Sequence, residues 1–243
     1  MTEPVELPIK PAATVMLLRD AVDGLEVFML RRTSNAVFAG GMYVFPGGKV
    51  DPADGDGDDA YRVAAIRECY EEAGVLLAVD EAGRMVDDGH PALAHRVAVY
   101  DGDIDVSALA AEHGLRLAID ALPWMSHWIT PKGETTRRFD TRFYMAAHPA
   151  GQTSHHDDNE TVASMWVRPA DALAQWEAGQ LQLMPPTVTN LRFLESHESV
   201  ASAMAAGWAV GVPPCILPKI RLDEAGRMAG ILLPGDPGYD DLD

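Results

Sequence analysis

Three glutamates, Glu68, Glu71 and Glu72, crowd one side of a segment whose composition favours a helix. From about Ala60 to Ala73 the run holds good helix formers and neither Pro nor Gly, and Gly74 stands where a helix takes a left-handed stop. At about 100° per residue the three acids fall within roughly a 100° arc, while Val63, Ile66, Cys69, Tyr70 and Ala73 gather opposite. One face is expected to pack and the other to be strongly anionic. Like charges at i and i+4 weaken a helix, and the Glu68/Glu72 pair has no basic residue at helical spacing to neutralise it. A divalent cation would, and oxygen-only ligands of this kind suit Mg²⁺ or Mn²⁺. The three carboxylates are therefore expected to converge within reach of one metal. Alone, such a run reads as a solvated acidic face.

It does not stand alone. Upstream, Phe45-Pro46-Gly47-Gly48 is a strand end breaking into a Gly-rich turn, where the Gly47 carbonyl can approach a metal with no side chain in the way. Gly48, Arg67, Glu68, Cys69, Glu71, Glu72, Gly74 and Val75 together resemble the box of the Nudix hydrolases, which reads G, five residues, E, seven residues, R-E-U-x-E-E-x-G-U, with U apolar. Two departures stand out: Asp54 replaces the Glu of the box, and twelve residues, Gly55 to Ile66, separate it from Arg67. The extra residues are polar and are expected to bulge at Gly55 to Asp59 before the helix begins.

With 243 residues and 47% hydrophobic content, the chain can bury a full core. One domain over 1–243 is expected, with an insertion at about 80–125 and a C-terminal extension at about 180–243. A formal net charge of −18 argues against an electrostatic grip on nucleic acid or an anionic membrane. Phosphate binding must then be local and metal-assisted. Cys69 and Cys215 form no disulfide framework, and no basic leader or long apolar run is present, so a cytoplasmic location is expected.

In chain order, 12–19 and 25–30 read as a hairpin, and Arg31 and Arg32 end its second strand. Residues 42–45 lead into the Gly-Gly turn. The insertion has helical character at 91–100 and at 106–113, the latter with Asp105 as N-cap and Gly114 as stop. It shapes a pocket or a homodimer contact, or is an inert elaboration. Residues 137–146 read as a strand with Arg138, Asp140 and Arg142 on one face, and its three arginines, Arg137, Arg138 and Arg142, either grip phosphate or neutralise the glutamate cluster or Asp140. After a loop at 155–160 come a strand at 161–167, a helix at 170–178 and a long helix at about 188–206. A hairpin of 216–222 and 228–233 follows, then a loose acidic end at 234–243.

The segments 31–54, 130–144 and 183–187 look like those of the Nudix branch that includes the peroxisomal coenzyme A diphosphatases of animals. That resemblance implies an α/β fold, an α/β/α sandwich around a mixed sheet. It also implies hydrolysis of a phosphoanhydride linking a nucleoside diphosphate to another group. The implied substrate is a small nucleotide-type molecule such as coenzyme A or an acyl-coenzyme A, with NADH, ADP-ribose or an RNA cap as alternatives. A non-catalytic nucleotide-binding protein is the rival class. Implied metal ligands are the Gly47 carbonyl, Glu68, Glu71, Glu72 and, from the 155–160 loop, Glu160 first and Asp157 second. Glu68 or Glu160 is the implied base, and Arg32, Arg138 and Gly48 are the implied substrate contacts.

Overall fold

The computed structural model describes residues 7–34, 36, 39–134 and 136–242; the expected loose N-terminal start and parts of the 33–41 loop lie outside them. The first strands are β1 (Ile9–Ala21), β2 (Gly24–Arg32), β3 (Tyr43–Val44) and β4 (Gly47–Lys49), followed by helix α1 (Gly57–Ala73). After it come β5 (Ala78–Val79), α2 (Arg96–Tyr100), α3 (Val106–Glu112) and β6 (Arg116–Leu117). Next come β7 (Trp124–Ile129), β8 (Arg138–Ala147), β9 (Thr161–Val167) and α4 (Pro169–Glu177). The chain closes with α5 (Pro185–Glu195), α6 (Val200–Val210), β10 (Cys215–Ile216), β11 (Lys219–Leu222) and β12 (Met228–Leu232).

Strand β1 is the axis of the main sheet. It runs antiparallel to β2 and, along its first half, to β4, and parallel to β8 from Ile9↔Arg138 to Leu18↔Ala147. The sheet order is β10-β7-β8-β1-β2-β3, with β4 added on β1 and β9 on β2. Both faces are covered, which is why β1 reads as a nearly continuous apolar run. Its Ala13, Val15 and Leu17 join a core with α1, α2 and α3, whereas Met16 and Leu18 join a second core with α4, α5 and α6. The result is the mixed sheet between two helical layers that the sequence led us to expect.

Three local expectations need correcting. Helix α1 starts at Gly57, not Ala60, so most of the extra residues extend the helix by a turn instead of bulging. Asp58 and Asp59 sit in that first turn, where carboxylates are favoured by the helix dipole, and Gly55 at φ 96° makes the bend. The long helix is two helices, α5 and α6, because Ser199 caps α6 through a reciprocal capping box with Ser202. Finally, Ile216 is not part of the last hairpin. It pairs in β10 with Trp128 of β7, and the hairpin proper, β11–β12, forms a separate two-stranded sheet. The acidic end beyond it is tied down: Lys219 donates to the Tyr239 and Leu242 carbonyls, and the Tyr239 hydroxyl donates to the Leu217 carbonyl.

No helix among the described residues is long and apolar enough to cross a membrane.

Candidate active site

Strand β4 brings Gly47 and Gly48 against β1, pairing Thr14 with Gly47 and Ala13 with Gly48, while α1 lies across them. The Gly47 amide donates to Glu72 Oε2 at 2.9 Å. A Cβ on Gly47 would come within 2.5 Å of Thr14 Oγ1 and 2.6 Å of the Ala13 carbonyl oxygen, whereas one on Gly48 would overlap the Glu68 carboxylate. The two glycines therefore fail differently. Gly47→Ala is expected to destabilise the fold, because backbone must shift. Gly48→Ala only has to push aside a flexible carboxylate, so it should keep most of its stability and lose activity. Melting temperature and turnover of the two variants check this, and a fully active Gly48→Ala protein would count against the site.

The anionic face of α1 is not solvated: Glu71 and Glu72 are buried, and Glu68 is nearly so. Arg67 holds most of it together. Its Nε and Nη2 donate to the two Asp54 oxygens at 2.9 and 3.0 Å, its Nη1 to Glu68 Oε1 at 2.9 Å and Glu71 Oε2 at 3.2 Å, and its Nη2 to the Lys49 carbonyl at 2.7 Å. Asp54, the departure from the Nudix box, is itself buried and remains joined to Arg67. Burial works against the Arg67 charge, yet the Asp54 hydrogen bond and the surrounding carboxylates raise its pKa.

Among the described residues no three His, Cys, Asp or Glu side chains are gathered closely enough to hold a metal ion. The expected convergence of Glu68, Glu71 and Glu72 is thus corrected. Arg67 draws Glu68 and Glu71 to its own Nη1, and Glu72 turns to the Gly47 amide. The donor set nevertheless suits a hard cation, being all oxygen and overcharged. Burial pushes the Glu68 carboxyl up to about 7, with Arg67 opposing and Glu71 adding to the shift. Burial, reinforced by the Glu68 charge, raises Glu72 well above the usual range, and burial also raises Glu71.

These shifts fix a pH dependence for the protein in EDTA. A carboxyl whose folded pKa lies above its unfolded 4.5 favours folding below pH 4.5, and that contribution is lost as pH rises to about 7. Stability should therefore fall between these values, by on the order of 3 kcal/mol from Glu68 alone. Urea unfolding near pH 5 and near pH 7.5 measures it, and an unchanged midpoint would contradict the crowding.

Across from α1, the end of β2 pairs with the start of β9, Arg32 opposite Thr161, which sets Arg32 beside Glu160. Arg32 Nη2 donates to Glu160 Oε2 at 3.3 Å, and its Nη1 lies 3.9 Å from Glu72 Oε1. Glu160 is half exposed. Asp157 is spent on its own loop, accepting from the backbone amides of Asn159, Glu160 and Thr161. Burial notwithstanding, those donors and the Thr161 hydroxyl pull its carboxyl down.

Gly47, Gly48, Glu68, Arg32 and Glu160 line one end of a cavity of about 430 Å³. Its remaining walls include Trp128, Phe139, Phe143, Met184, Pro185 and Ile231. Arg138 is not on it. On β8 the cavity takes Phe139, Thr141 and Phe143, so alternation turns Arg138 away, where it is buried with Nε on the Thr130 carbonyl. Arg142 of the same face is held by Asp58 at 2.8 Å and lies over the Tyr61 and Trp124 rings. Of the three arginines expected near the start of this strand, Arg137 lines the cavity, as do Arg32 and Lys49; Lys49, next to Gly48, was not singled out from the sequence.

Comparison with known proteins identifies the family. The family profile described as the NUDT19 Nudix domain matches residues 55–194. The chain is 32% identical over 165 residues to the putative nudix hydrolase 7 of Caenorhabditis elegans, an alignment covering 68% of this chain and 54% of that protein. It is 27% identical to the acyl-coenzyme A diphosphatase NUDT19 of Homo sapiens, covering 89% of this chain and 73% of that one. The chain thus spans between about half and three quarters of the length of these two relatives. Among solved structures, the NUDIX hydrolase from Alicyclobacillus acidocaldarius superposes with a TM-score of 0.72 at 28% identity, covering 82% of this chain and 96% of that one. With the box residues, the mixed sheet between helices and the profile match in agreement, the chain belongs to the Nudix family, within the group described by the NUDT19 Nudix domain.

Proposed function

We propose that this chain is a divalent-cation-dependent diphosphatase that hydrolyses the phosphoanhydride of coenzyme A or its acyl esters. The observation that carries the reading is the buried, overcharged carboxylate set of α1, packed on the Gly47-Gly48 turn and opening, through Glu68, into a cavity large enough for part of a nucleotide. The NUDT19 relatives, named as acyl-coenzyme A diphosphatases, support the choice of substrate.

Glu71 and Glu72, with the Gly47 carbonyl and Glu68 or Glu160, would hold Mg²⁺ or Mn²⁺. When bound, such an ion supplies positive charge to the diphosphate and acidifies water. Glu68 is suited to the role of base. It lines the cavity, and burial leaves its carboxyl poised near neutrality, where accepting a proton is most effective. Water adds to phosphorus, the P–O–P bridge breaks, and the bridging oxygen leaves on one phosphate. Arg32, between Glu160 and Glu72, faces the charge that builds up there. Coenzyme A would yield 3′,5′-ADP and 4′-phosphopantetheine.

The test is a panel of coenzyme A, its acyl esters, NADH, ADP-ribose and dinucleoside polyphosphates with Mg²⁺ or Mn²⁺, with products identified by mass. Turnover of NADH or ADP-ribose at far higher kcat/KM than any coenzyme A ester replaces the substrate. Absence of turnover throughout, with nucleotide still bound, favours a binding protein.

A further inference from the structure

Part of the cavity lining comes from a stretch of the chain outside the 55–194 family match. Pro218 and Ile231, leading into β11 and on β12 of the last hairpin, line the same cavity as Met184, Pro185 and Pro186. This hairpin is not a strand pair of the main sheet, yet it is firmly placed. The chain enters it from β10, where Ile216 pairs with Trp128 of β7, another cavity residue. Ile220 lies beside Gly133, and Lys219 is fastened to the carbonyls of Tyr239 and Leu242.

From these observations we infer that the β11–β12 hairpin is the surface on which the acyl arm of the substrate rests, and that Ile231 is a specificity-determining residue for acyl chain length. The inference rests on the coenzyme A reading above. The five side chains named are aliphatic or a thioether and carry no hydrogen-bond donor, so a polar or charged arm would lose its water without replacement. An alkyl chain gains by leaving water on the same surface. The nucleotide has other lining residues to use: the aromatic rings of Phe139 and Phe143 and the charges of Lys49 and Arg137. Ile231 is partly exposed at 37%, as expected for a wall that an incoming group completes.

The experiment compares free coenzyme A, acetyl-coenzyme A and octanoyl-coenzyme A as substrates of the 243-residue protein and its Ile231→Asp and Ile231→Leu variants. The wild type should favour octanoyl-coenzyme A over acetyl-coenzyme A. Ile231→Asp should lower that kcat/KM ratio about tenfold, chiefly through KM, and Ile231→Leu should keep it. Calorimetric binding of octanoyl-coenzyme A in EDTA should weaken by a similar factor, a readout that does not depend on turnover. Thermal melting reports folding, and Ile231→Thr, also β-branched, carries the test if the Asp variant does not fold. An unchanged ratio in a folded polar variant overturns the hairpin assignment alone. Equal weakening of free and octanoyl-coenzyme A overturns it too, since the wall would then hold the part common to both. Cleavage of NADH or ADP-ribose with no coenzyme A ester bound or cleaved overturns the substrate reading and this inference with it.

Discussion

Hydrolysis by the Glu72→Gln and Glu71→Gln proteins at low Mg²⁺ is expected to fall by on the order of 10³-fold, with the fold intact. Glutamine keeps the size and helix propensity of glutamate, and at position 72 its amide oxygen can still accept from the Gly47 amide. What it removes is a buried negative charge. Because burial and the Glu68 charge already drive Glu72 toward its neutral form, the Glu72→Gln protein in EDTA at pH 7.5 should melt at a higher temperature than wild type. Lower activity combined with higher metal-free stability marks a site held under charge repulsion for binding a cation. Near-wild-type hydrolysis by both variants at matched metal concentration would leave the mechanism without a metal site.

Loss of Arg67 is expected to be the most damaging single change to stability. Its guanidinium engages Asp54, Glu68, Glu71 and the Lys49 carbonyl, and its side chain is only 11% exposed. Methionine would fill much of the same volume while stranding the buried Asp54 and two further carboxylates. Removing one partner of such a network costs about 3–5 kcal/mol, or roughly 10 °C in melting temperature for a chain of this size. The loss should be smaller near pH 5 than near pH 7.5, since a Glu68 with a pKa of about 7 is neutral at the lower pH and needs its cation less. Urea unfolding of Arg67→Met in EDTA at both pH values tests this. A loss below about 1 kcal/mol at pH 7.5 would mean that Arg67 is not what holds the acids in place.

The local elements were largely legible because local chemistry sets them. Gly74 does end α1 in the left-handed region, at φ 72°, and the first two strands pair across the turn read from their polar residues. Thr161–Val167 is a strand over the predicted span. Where local signals are ambiguous, expectation and structure part. Asp56 to Asp59 reads equally well as loop or as a capped first turn, and Ser199 breaks a helix that apolar periodicity alone carries through.

By itself, then, the sequence determined the helix that bears Glu68, Glu71 and Glu72, the glycine turn facing it, and the family to which both belong, since these are patterns of neighbouring residues. Only the tertiary structure decided where the charges go. Alternation along β8 separates Arg138 from Arg137, but only the packing of the sheet between two cores shows that the odd-numbered side carries the cavity. The pairing of β2 with β9 brings Arg32 to Glu160 across 128 residues, and Arg67 gathers acids from two elements. The last hairpin becomes part of the cavity wall because β10 is hydrogen-bonded to β7. Such contacts depend on strand register and on close packing between distant segments, neither of which is a property of any stretch of sequence read alone.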